Sequence, residues 1–456
     1  MNRPYQRNHD QRNTRSYRTQ AALLVVLIAL LLSACGNGGN GGNSESSGNG
    51  NAAGSASSAA GGASATKPAK DVKLVFWHHY SAASPEEKTL TETLIPKFEQ
   101  DNPGIKVEAV AFTWEDLHKK LQVAGSTNDL PDVARLDIIW VPELQRSNWL
   151  VPLDETFADF GNTTSGLLEG PVSTAKVGEH YYGLPLNTNT KVLFWNEDML
   201  KQAGLSQPPT TTDEFFSALE AVKTANPNAW GYGEPGLYGW NVLPWIWSNG
   251  GDVLSPDMST ADGYLNSADS IAIVARLQQA YQGNKLAGFK PGDVPVTEGH
   301  AKGSYALIAE GPWAVAQFQG QFTDYKARMV SFPAGKAGSV QVLGGEDIGI
   351  TNTRHQEESW KFLQFMTSEY AQVEMGKVGQ IPVNLAAMDN AEIKAIDYFA
   401  PFLEQLKTAK ARPPVPAWPQ IDEIINTTMS KIFLKNSDVK TELDDAVKQI
   451  DALLHA

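Results

Sequence analysis

The segment Lys73-Leu74-Val75-Phe76-Trp77 opens the stretch of sequence that decides the fold class, and its composition is typical of a β-strand. In Ser84-Pro85-Glu86-Glu87, which follows, a serine, a proline and a glutamate have the spacing of a helix-capping box. Apolar residues then recur at helical spacing until Asn102-Pro103-Gly104, a sequence that ends helices. Residues 73–104 are therefore predicted to form a strand followed by a helix.

The alternation of strand and helix continues to residue 140. Ile105–Ala111 predicts a second strand, Thr113 predicts the cap of a short helix, and Asp132–Trp140 predicts a third strand. Strands that alternate with single helices are typical of a largely parallel sheet. The fold class is therefore predicted to be α/β.

A second α/β unit is predicted after Pro185. Lys191–Trp195 is β-like, Thr211-Thr212-Asp213-Glu214 has the form of another capping box, and Asp262-Gly263 predicts a tight turn. Further amphipathic helices are predicted at 268–282, 356–374 and 438–455. The pattern alone therefore predicts two α/β lobes, but it does not show how the chain divides between them.

Length and charge limit the function classes that remain. The chain has 456 residues, which predicts two or three domains at roughly 150 residues each. Its 37 basic and 51 acidic residues give a net charge of −14, which argues against a nucleic-acid backbone binder. The single cysteine excludes an internal disulfide framework and a cysteine-rich metal site.

Residues 1–70 are predicted to lie outside the fold. Residues 1–34 have a basic start and then an apolar run too short to span a bilayer, which is typical of a signal peptide. Leu32-Ser33-Ala34-Cys35 resembles the bacterial lipobox, so Cys35 is predicted to carry the lipid; the alternative is an ordinary signal peptide with an incidental cysteine. The residues of 35–70 that follow Cys35 are predicted to form a disordered tether, because most of them are Gly, Ser, Asn and Ala.

Motifs for bond chemistry are missing from the sequence. It contains no P-loop, no dinucleotide-binding glycine motif after a strand, no nucleophile elbow and no zinc-protease motif. His78-His79 is the nearest approach to a metal pair, but adjacent strand residues point to opposite faces. No catalytic residue, metal or cofactor is therefore predicted. A secreted glycoside hydrolase remains an alternative because acidic residues are plentiful.

Twelve tryptophans are the strongest clue to a ligand that does not depend on resemblance. Several lie at predicted strand ends or in segments rich in Gly, Pro and Asn, and loops of this kind bind ligands in α/β proteins. Aromatic faces beside Asn, Asp and Arg suit a carbohydrate, since the rings cover its C–H face and the polar groups bind its hydroxyls. The candidates are Trp77, Trp114, Trp240, Trp245, Trp313 and Trp418, whereas Trp149, Trp195, Trp230 and Trp360 are predicted to be core residues.

From about Asp71 to the C-terminus the sequence resembles the substrate-binding lipoproteins of sugar ABC importers, the maltose/trehalose type. The resemblance lies in several short motifs that occur in the expected order. They are Asp129–Glu143, Tyr182–Thr190, Asn196–Leu200, Ser248–Gly251, Gly311–Trp313, Leu343–Ile350 and Arg412–Pro416.

This resemblance implies a two-lobed periplasmic-binding-protein fold with hinge crossovers and a ligand cleft between the lobes. Lobe one would comprise 71–185 plus 329–375, and lobe two 186–328 plus 376–456. Matching positions imply that the ligand is bound by Asp137, Asn187, Asn189, Gly345, Glu346 and Arg412. One related pattern has Asp in place of Asn189 and an aromatic residue in place of Glu346, so the motifs do not identify the sugar.

The implied function is capture of a mono- or oligosaccharide and its delivery to an ABC permease with its ATPase. The protein would be a monomer that is held by lipid on the outer face of the cell membrane, with no nucleic-acid partner. A binding protein of the same fold for a polyamine, a peptide or a phosphodiester remains a second alternative. The tryptophans and the lack of clustered Lys and Arg near the proposed loops disfavour an anion.

Overall fold

The computed structural model describes residues 71–80, 85–351 and 355–455. The predicted signal peptide, Cys35, the tether and Ser84 lie outside these residues. The strands are β1 Val72–His78, β2 Ile105–Ala111, β3 Val133–Asp137, β4 Lys176–Val177, β5 His180–Tyr181, β6 Leu184–Asn189, β7 Val192–Trp195, β8 Trp230–Gly233, β9 Leu286–Ala287, β10 Tyr305–Glu310, β11 Met329–Val330, β12 Gln341–Ile350 and β13 Ala409–Ala411.

The helices of the first half are α1 Glu86–Thr89, a π-helical turn Leu90–Leu94, α2 Ile95–Asp101, α3 Trp114–Thr127, α4 Val141–Arg146, α5 Leu153–Thr156, α6 Phe160–Thr164, α7 Glu169–Thr174, α8 Glu197–Gln202 and α9 Thr212–Ala225. Those of the second half are α10 Gly239–Ser248, α11 Ala268–Gln282, α12 Val296–Ala301, α13 Pro312–Gln321, α14 Gln356–Met366, α15 Glu369–Lys377, α16 Leu385–Asp389, α17 Ala391–Lys394, α18 Phe399–Leu406, α19 Trp418–Lys435 and α20 Val439–Leu454.

The first sheet has the strand order β13-β12-β3-β1-β2, and β6 also pairs with β12. Strand β1 runs parallel to both β2 and β3, which confirms the predicted parallel arrangement of the first three strands. Strand β12 is antiparallel to β3 and to β6, so the complete sheet is mixed. Three later strands, β6, β12 and β13, thus complete a sheet that β1, β2 and β3 begin.

The second sheet has the order β11-β7-β10-β8-β9. Strand β7 is antiparallel to β10 and β11, whereas β8 is parallel to β10 and β9. Strand β11 therefore belongs with β7, although it begins at 329, beyond the boundary at 328 predicted for lobe two. The two-sheet α/β architecture agrees with the predicted fold class.

Apolar side chains pack on these sheets in three clusters. One joins Leu74 and Phe76 of β1 to Phe98 of α2 and Phe362 of α14. A second packs Phe194 of β7 with residues of α13 and α18, and the largest packs helices α9, α10, α11, α19 and α20 together. Helices thus cover the sheets through their apolar faces, as α/β proteins require.

Most local predictions are confirmed, and the departures have physical causes. Thr211 and Glu214 form the predicted capping box, and the Thr113 side chain accepts a hydrogen bond from the Asp116 amide. The helix predicted at 356–374 is interrupted because Ser368 caps a new helix there. The third strand ends at Asp137, where the carboxylate accepts a hydrogen bond from the Ile139 amide and turns the chain.

Within the ranges given above, no helix is both long and apolar enough to cross a membrane. The same residues contain no group of three or more His, Cys, Asp or Glu side chains that could hold a metal ion. His78 and His79 are both largely buried, and burial lowers the pKa of His78 to about 3.

Candidate ligand-binding site

The register of β12 brings three of the predicted binding residues into one row. Glu346 is paired with Asp137 of β3 on one side and with Asn187 of β6 on the other. One residue earlier Gly345 pairs with Thr188, and Gly344 pairs with Asn189. Residues as far apart in the chain as Asp137 and Glu346 therefore meet across three neighbouring strands.

Asp137 is the centre of a polar cluster at the end of β3. Its Oδ1 atom lies 3.0 Å from Arg412 Nη2, and its Oδ2 atom accepts a hydrogen bond from Trp114 Nε1 at 3.0 Å. Arg412 follows β13 directly, and the pairing of β13 with β12 brings it beside the row. The guanidinium also lies 5.0 Å from the centroid of the Trp240 ring, within the range of a cation–π contact.

Glu346 forms the second ion pair of the site. Its Oε2 atom lies 3.0 Å from Arg135 Nη2, and His79 Nε2 is 3.8 Å from Oε1. Burial would raise the pKa of Glu346, but the charge of Arg135 and the contacts with His79 and Asn187 outweigh it and lower this pKa to about 2. Burial, reinforced by Arg135, lowers the pKa of His79. Glu346 is therefore an anion and His79 is neutral at pH 7.

Two glycines of β12 allow other groups to approach the strand closely. A side-chain carbon at Gly344 would collide with Asn189 Oδ1 and with the Trp240 ring. Gly345 has a φ of 153°, and a side-chain carbon there would lie 2.6 Å from the carbonyl oxygen of Asn187. Glycine at 344 therefore leaves room for Asn189 and Trp240 against the strand, and glycine at 345 leaves room for the Asn187 carbonyl.

Two helices of the second half supply aromatic rings to the site. Trp240 lies in the first turn of α10, and Trp313 is the second residue of α13. Trp313 Nε1 donates a hydrogen bond to Glu310 Oε2 at 3.0 Å, which fixes the orientation of the indole. Tyr238, the residue before α10, contributes a further ring.

A buried polar network lies next to α10, the helix that carries Trp240. Lys191 is 1% exposed, and its Nζ donates a hydrogen bond to Asn241 Oδ1 at 2.6 Å, on the same helix as Trp240. Lys191 Nζ also lies 3.5 Å from Glu234 Oε1. Burial raises the pKa of Glu234 to about 7, against the opposing charge of Lys191, and burial likewise raises the pKa of Glu310.

The aromatic rings of Trp240, Trp313 and Tyr238 and the polar residues around β12 surround a cavity of about 170 Å³. That volume would hold on the order of ten water molecules, so the cavity suits a small molecule. Asn189 Oδ1 is buried at its wall and has no hydrogen-bond partner among the residues that the structure describes. The lining residues are Trp114, Glu115, Asp137, Asn189, Tyr238, Trp240, Trp313, Gly344, Gly345, Glu346 and Arg412.

The structure brings eight of the twelve predicted binding residues to this cavity. They are Trp114, Asp137, Asn189, Trp240, Trp313, Gly345, Glu346 and Arg412. Asn187 lies in the register row but does not line the cavity, and Trp77 packs against Phe112 instead.

Trp245 and Trp418 require a correction. They were predicted to bind ligand from loops, but both are core residues, 2% and 0% exposed, in the largest apolar cluster. The flanking Gly, Pro and Asn residues suggested loops, whereas they belong to helices α10 and α19 or lie at their ends. Trp240 and Trp313 also lie on helices rather than in loops.

Several residues of the site were not predicted individually from the sequence. Glu115, Tyr238 and Gly344 line the cavity, and Arg135 holds Glu346. Arg135 and Gly344 lie inside motifs that carry the resemblance, and Glu115 follows a predicted residue directly. Tyr238 had no signal beyond its position two residues before Trp240.

The fold and the cavity define a two-sheet α/β binding protein for a small molecule. The model of the bacterial extracellular solute-binding protein family matches residues 82–373 of the chain. The chain belongs to this family, and the protein is therefore an extracytoplasmic solute-binding protein.

Similar proteins include relatives from several bacteria. A protein of Brucella abortus (strain 2308) described as a binding protein is 25% identical over 381 residues, which cover 78% of this chain and 88% of the relative. The sn-glycerol-3-phosphate-binding periplasmic protein UgpB of Salmonella paratyphi A is 24% identical over 420 residues, which cover 83% and 92%.

A solved structure gives the same architecture. The GacH receptor of Streptomyces glaucescens, determined without ligand and with acarbose, matches with a TM-score of 0.75 and 20% identity, over 84% of this chain and 99% of the receptor. The chain therefore has the two-lobed periplasmic-binding-protein fold that the sequence resemblance implied.

Proposed function

We propose that this protein captures a carbohydrate between its two lobes and delivers it to the membrane permease of an ABC importer. The observation that carries the proposal is the buried Asn189 Oδ1, an acceptor without a partner among the described residues, in a cavity lined by three tryptophans. A sugar hydroxyl would satisfy that acceptor, and the indoles would cover the apolar face of the ring. The two-lobed fold, in which a ligand stabilises closure, supports the transport role.

The charges of the cavity favour a neutral ligand over an anion. The Salmonella relative is named for binding sn-glycerol-3-phosphate, and a phosphate group would need cations that are free to receive it. Arg412 is paired with Asp137, and Arg135 is paired with Glu346. Glu115 adds a negative charge to the cavity wall. An anion would therefore meet the carboxylates of Asp137, Glu346 and Glu115 beside Arg412, whose charge Asp137 already balances.

The carboxylates of the cavity argue against a glycoside hydrolase. A general acid in such an enzyme needs a raised pKa so that it keeps its proton near neutral pH. The pKa of Glu346 is instead lowered to about 2, mainly by Arg135 acting against burial. Asp137 is held by an arginine, an indole and a backbone amide. We therefore infer that the protein performs no bond chemistry and returns its ligand intact.

A thermal-shift screen followed by calorimetry tests the sugar assignment. Purified protein would be screened against mono- and oligosaccharides, with polyamines, a peptide mixture and sn-glycerol-3-phosphate as the comparison set. Binding raises the unfolding temperature because it stabilises the folded state by RT ln(1 + [L]/Kd). A response to a polyamine, a peptide or the phosphate, without any response to sugars, would overturn the proposal.

We also propose that Cys35 is acylated and that the rest of 35–70 tethers a monomeric body to the outer face of the cell membrane. The sequence Leu32-Ser33-Ala34-Cys35 supports the anchor. The lobe boundaries at 185 and 375 remain part of the proposal, whereas the boundary predicted at 328 has to follow β11, which ends at Val330. Fractionation of cells that express wild type and Cys35→Ala tests the anchor. We expect the wild-type protein in the membrane fraction and the variant outside it; equal distributions would contradict the anchor.

A further inference from the structure

Three charged side chains come together at one edge of the second sheet. Strands β8 and β10 are parallel, so their carboxyl ends share that edge; Glu234 follows β8 directly, and Glu310 is the last residue of β10. The antiparallel pairing of β10 with β7 sets Glu310 opposite Val192, and Lys191 is the residue before Val192. The register of three strands thus places two carboxylates and one ammonium group together.

All three side chains are nearly buried. Lys191 is 1% exposed, Glu234 is 5% exposed and Glu310 is 8% exposed. Lys191 Nζ lies 3.5 Å from Glu234 Oε1, and its charge also acts on Glu310. No second cation pairs with either carboxylate among the residues that the structure describes. Two buried carboxylates therefore face one buried cation, and a proton on one of the carboxylates restores neutrality.

We propose that Glu234 and Glu310 share one proton and that sugar binding strengthens the hold on it, so that the affinity for the sugar falls as pH rises above 7. We name Lys191, Glu234 and Glu310 the proton-sharing cluster. Its members are positioning residues, since none of them lines the ligand cavity. The inference rests on the proposed carbohydrate function and adds a pH response to it.

The proton-sharing cluster contacts both helices that carry tryptophans of the cavity. Glu310 Oε2 accepts the hydrogen bond of 3.0 Å from Trp313 Nε1, at the start of α13. Lys191 Nζ donates a hydrogen bond of 2.6 Å to Asn241 Oδ1, and Asn241 follows Trp240 on α10. Both tryptophans line the cavity. A change of charge in the cluster therefore acts on the groups that hold the two indoles.

Within the described part of the chain, two tyrosines are the other titratable groups that face the cluster. Tyr232 donates a hydrogen bond from its hydroxyl to Glu234 Oε2 at 2.7 Å, and burial raises the pKa of Tyr232 well above its usual value. Burial also raises the pKa of Tyr238, and four carboxylates raise it further: Glu310, Asp422, Glu234 and Glu115. Both hydroxyls therefore keep their protons near neutral pH, and the proton that is exchanged there belongs to the carboxylate pair.

The direction of the pH response follows from burial. Burial raises the pKa of Glu234 to about 7 against the charge of Lys191, and it raises the pKa of Glu310 as well. Two carboxylates that interact in this way titrate as a unit. A sugar that covers the indoles excludes water beside the cluster, which penalises the doubly ionised pair further and raises its pKa. By linkage, the affinity is highest below pH 7 and falls as pH rises above it.

Calorimetry of the wild-type protein in phosphate and in Tris buffer at pH 7.5 measures the protons taken up on binding. The probe is the sugar with the largest response in the thermal-shift screen. For a rise of about one pH unit in the pKa of the pair, we expect uptake of about half a proton per sugar. The affinity should then fall about fivefold between pH 6 and pH 8. Release of protons, or no uptake, would overturn the inference and leave the carbohydrate function intact.

Glu234→Gln tests the location of the proton, because the amide does not titrate and leaves Glu310 alone with Lys191. Glu220→Gln on α9 is the matched control, since it makes the same change in a side chain that is 61% exposed. We expect the affinity of Glu234→Gln to change less than twofold between pH 6 and pH 8, and that of Glu220→Gln to fall as in wild type. A wild-type pH profile in Glu234→Gln would overturn the inference.

Urea unfolding without sugar separates the shared proton from the carbohydrate function. The pKa of Glu234 is raised from the ordinary 4.5 to about 7 in the folded protein, so the proton stabilises the fold. This stabilisation is complete below about pH 4.5 and is lost as pH rises through 7. The urea midpoint of wild type should therefore fall relative to that of Glu234→Gln between pH 5 and pH 7.5. Parallel midpoints would overturn the inference whether or not a sugar binds, whereas no response to any sugar would overturn the proposed function.

Discussion

Arg412 Nη2 and Asp137 Oδ1 lie 3.0 Å apart, although the two residues are 275 positions apart in the chain. Asp137 ends β3 and Arg412 follows β13, so this one ion pair joins two strands that are separated in the first sheet by β12. Both side chains are nearly buried and both line the ligand cavity. The pair therefore contributes to the shape of the site as well as to its charge.

Arg412→Ala and Asp137→Ala are each expected to weaken sugar binding by about 1–3 kcal/mol, the scale of one unpaired buried polar group. Calorimetry with the ligand found in the sugar screen measures the loss. Arg276→Ala is the control, because its pair with Asp213 at 2.8 Å is on the surface and should contribute little. Unchanged affinity in both cavity variants would refute their assignment to the site.

Trp240→Ala and Trp245→Ala separate ligand binding from folding on a single helix. Trp245 is buried against Phe215 and Phe332, so its loss should destabilise the fold by about 3–5 kcal/mol in urea unfolding. Trp240 lines the cavity, so its loss should abolish most of the sugar affinity at a smaller cost in stability. Equal effects of the two variants on both quantities would contradict this division of roles.

Arg135→Met should destabilise the protein by about 3–5 kcal/mol, because it leaves Glu346 charged and buried without its partner. The double variant Arg135→Met/Glu346→Gln removes that charge as well. We expect it to regain a substantial part of the lost free energy of unfolding. Urea unfolding of the two single variants and the double variant measures the coupling, and simple additivity would contradict the ion pair.

Asp422 makes stability depend on pH. Burial raises its pKa from the ordinary 3.8 to about 6, against the opposing effects of Arg412 and the Gly239 amide. Because the folded state holds the proton more tightly, the stabilisation is complete at pH values below about 4. It is lost as pH rises towards about 6, by on the order of 3 kcal/mol.

Asp422→Asn removes this titration and keeps an oxygen that can accept the Gly239 hydrogen bond. Urea unfolding of both proteins between pH 4 and pH 7 is the measurement. The wild-type free energy of unfolding should fall relative to that of the variant as pH rises through this range. Parallel pH curves would show that Asp422 does not titrate as described.

Much of the fold follows from local patterns in the sequence. Strands β1 and β2 and helices α9 and α11 lie where alternation and capping residues predict them, because those signals are confined to a few neighbouring residues. The pairing of β12 with β3 and β6 was not predictable in this way. It depends on the register between segments far apart in the chain, which no local pattern records.

The part of the site that lies in recognisable sequence motifs was predictable. Asp137, Glu346 and Arg412 were found by resemblance, yet only the sheet register places them together. The residues that flank Trp418 led to a wrong prediction, because Pro419 suggested a loop. Proline is also favoured in the first turn of a helix, and that is where Pro419 lies. Burial, which distinguishes Trp418 from Trp240, is a property of the packed structure and not of the flanking residues.

The position of β12 in the first sheet has a consequence for the order in which the protein can fold. Strand β3 has β1 on one side, but its other neighbour is β12, which begins at residue 341. A chain that emerges N-terminus first cannot complete this sheet until β12 and then β13, ending at residue 411, have been synthesised. Such long-range pairing slows folding. Most of the polypeptide therefore has to leave the ribosome before its first sheet can close.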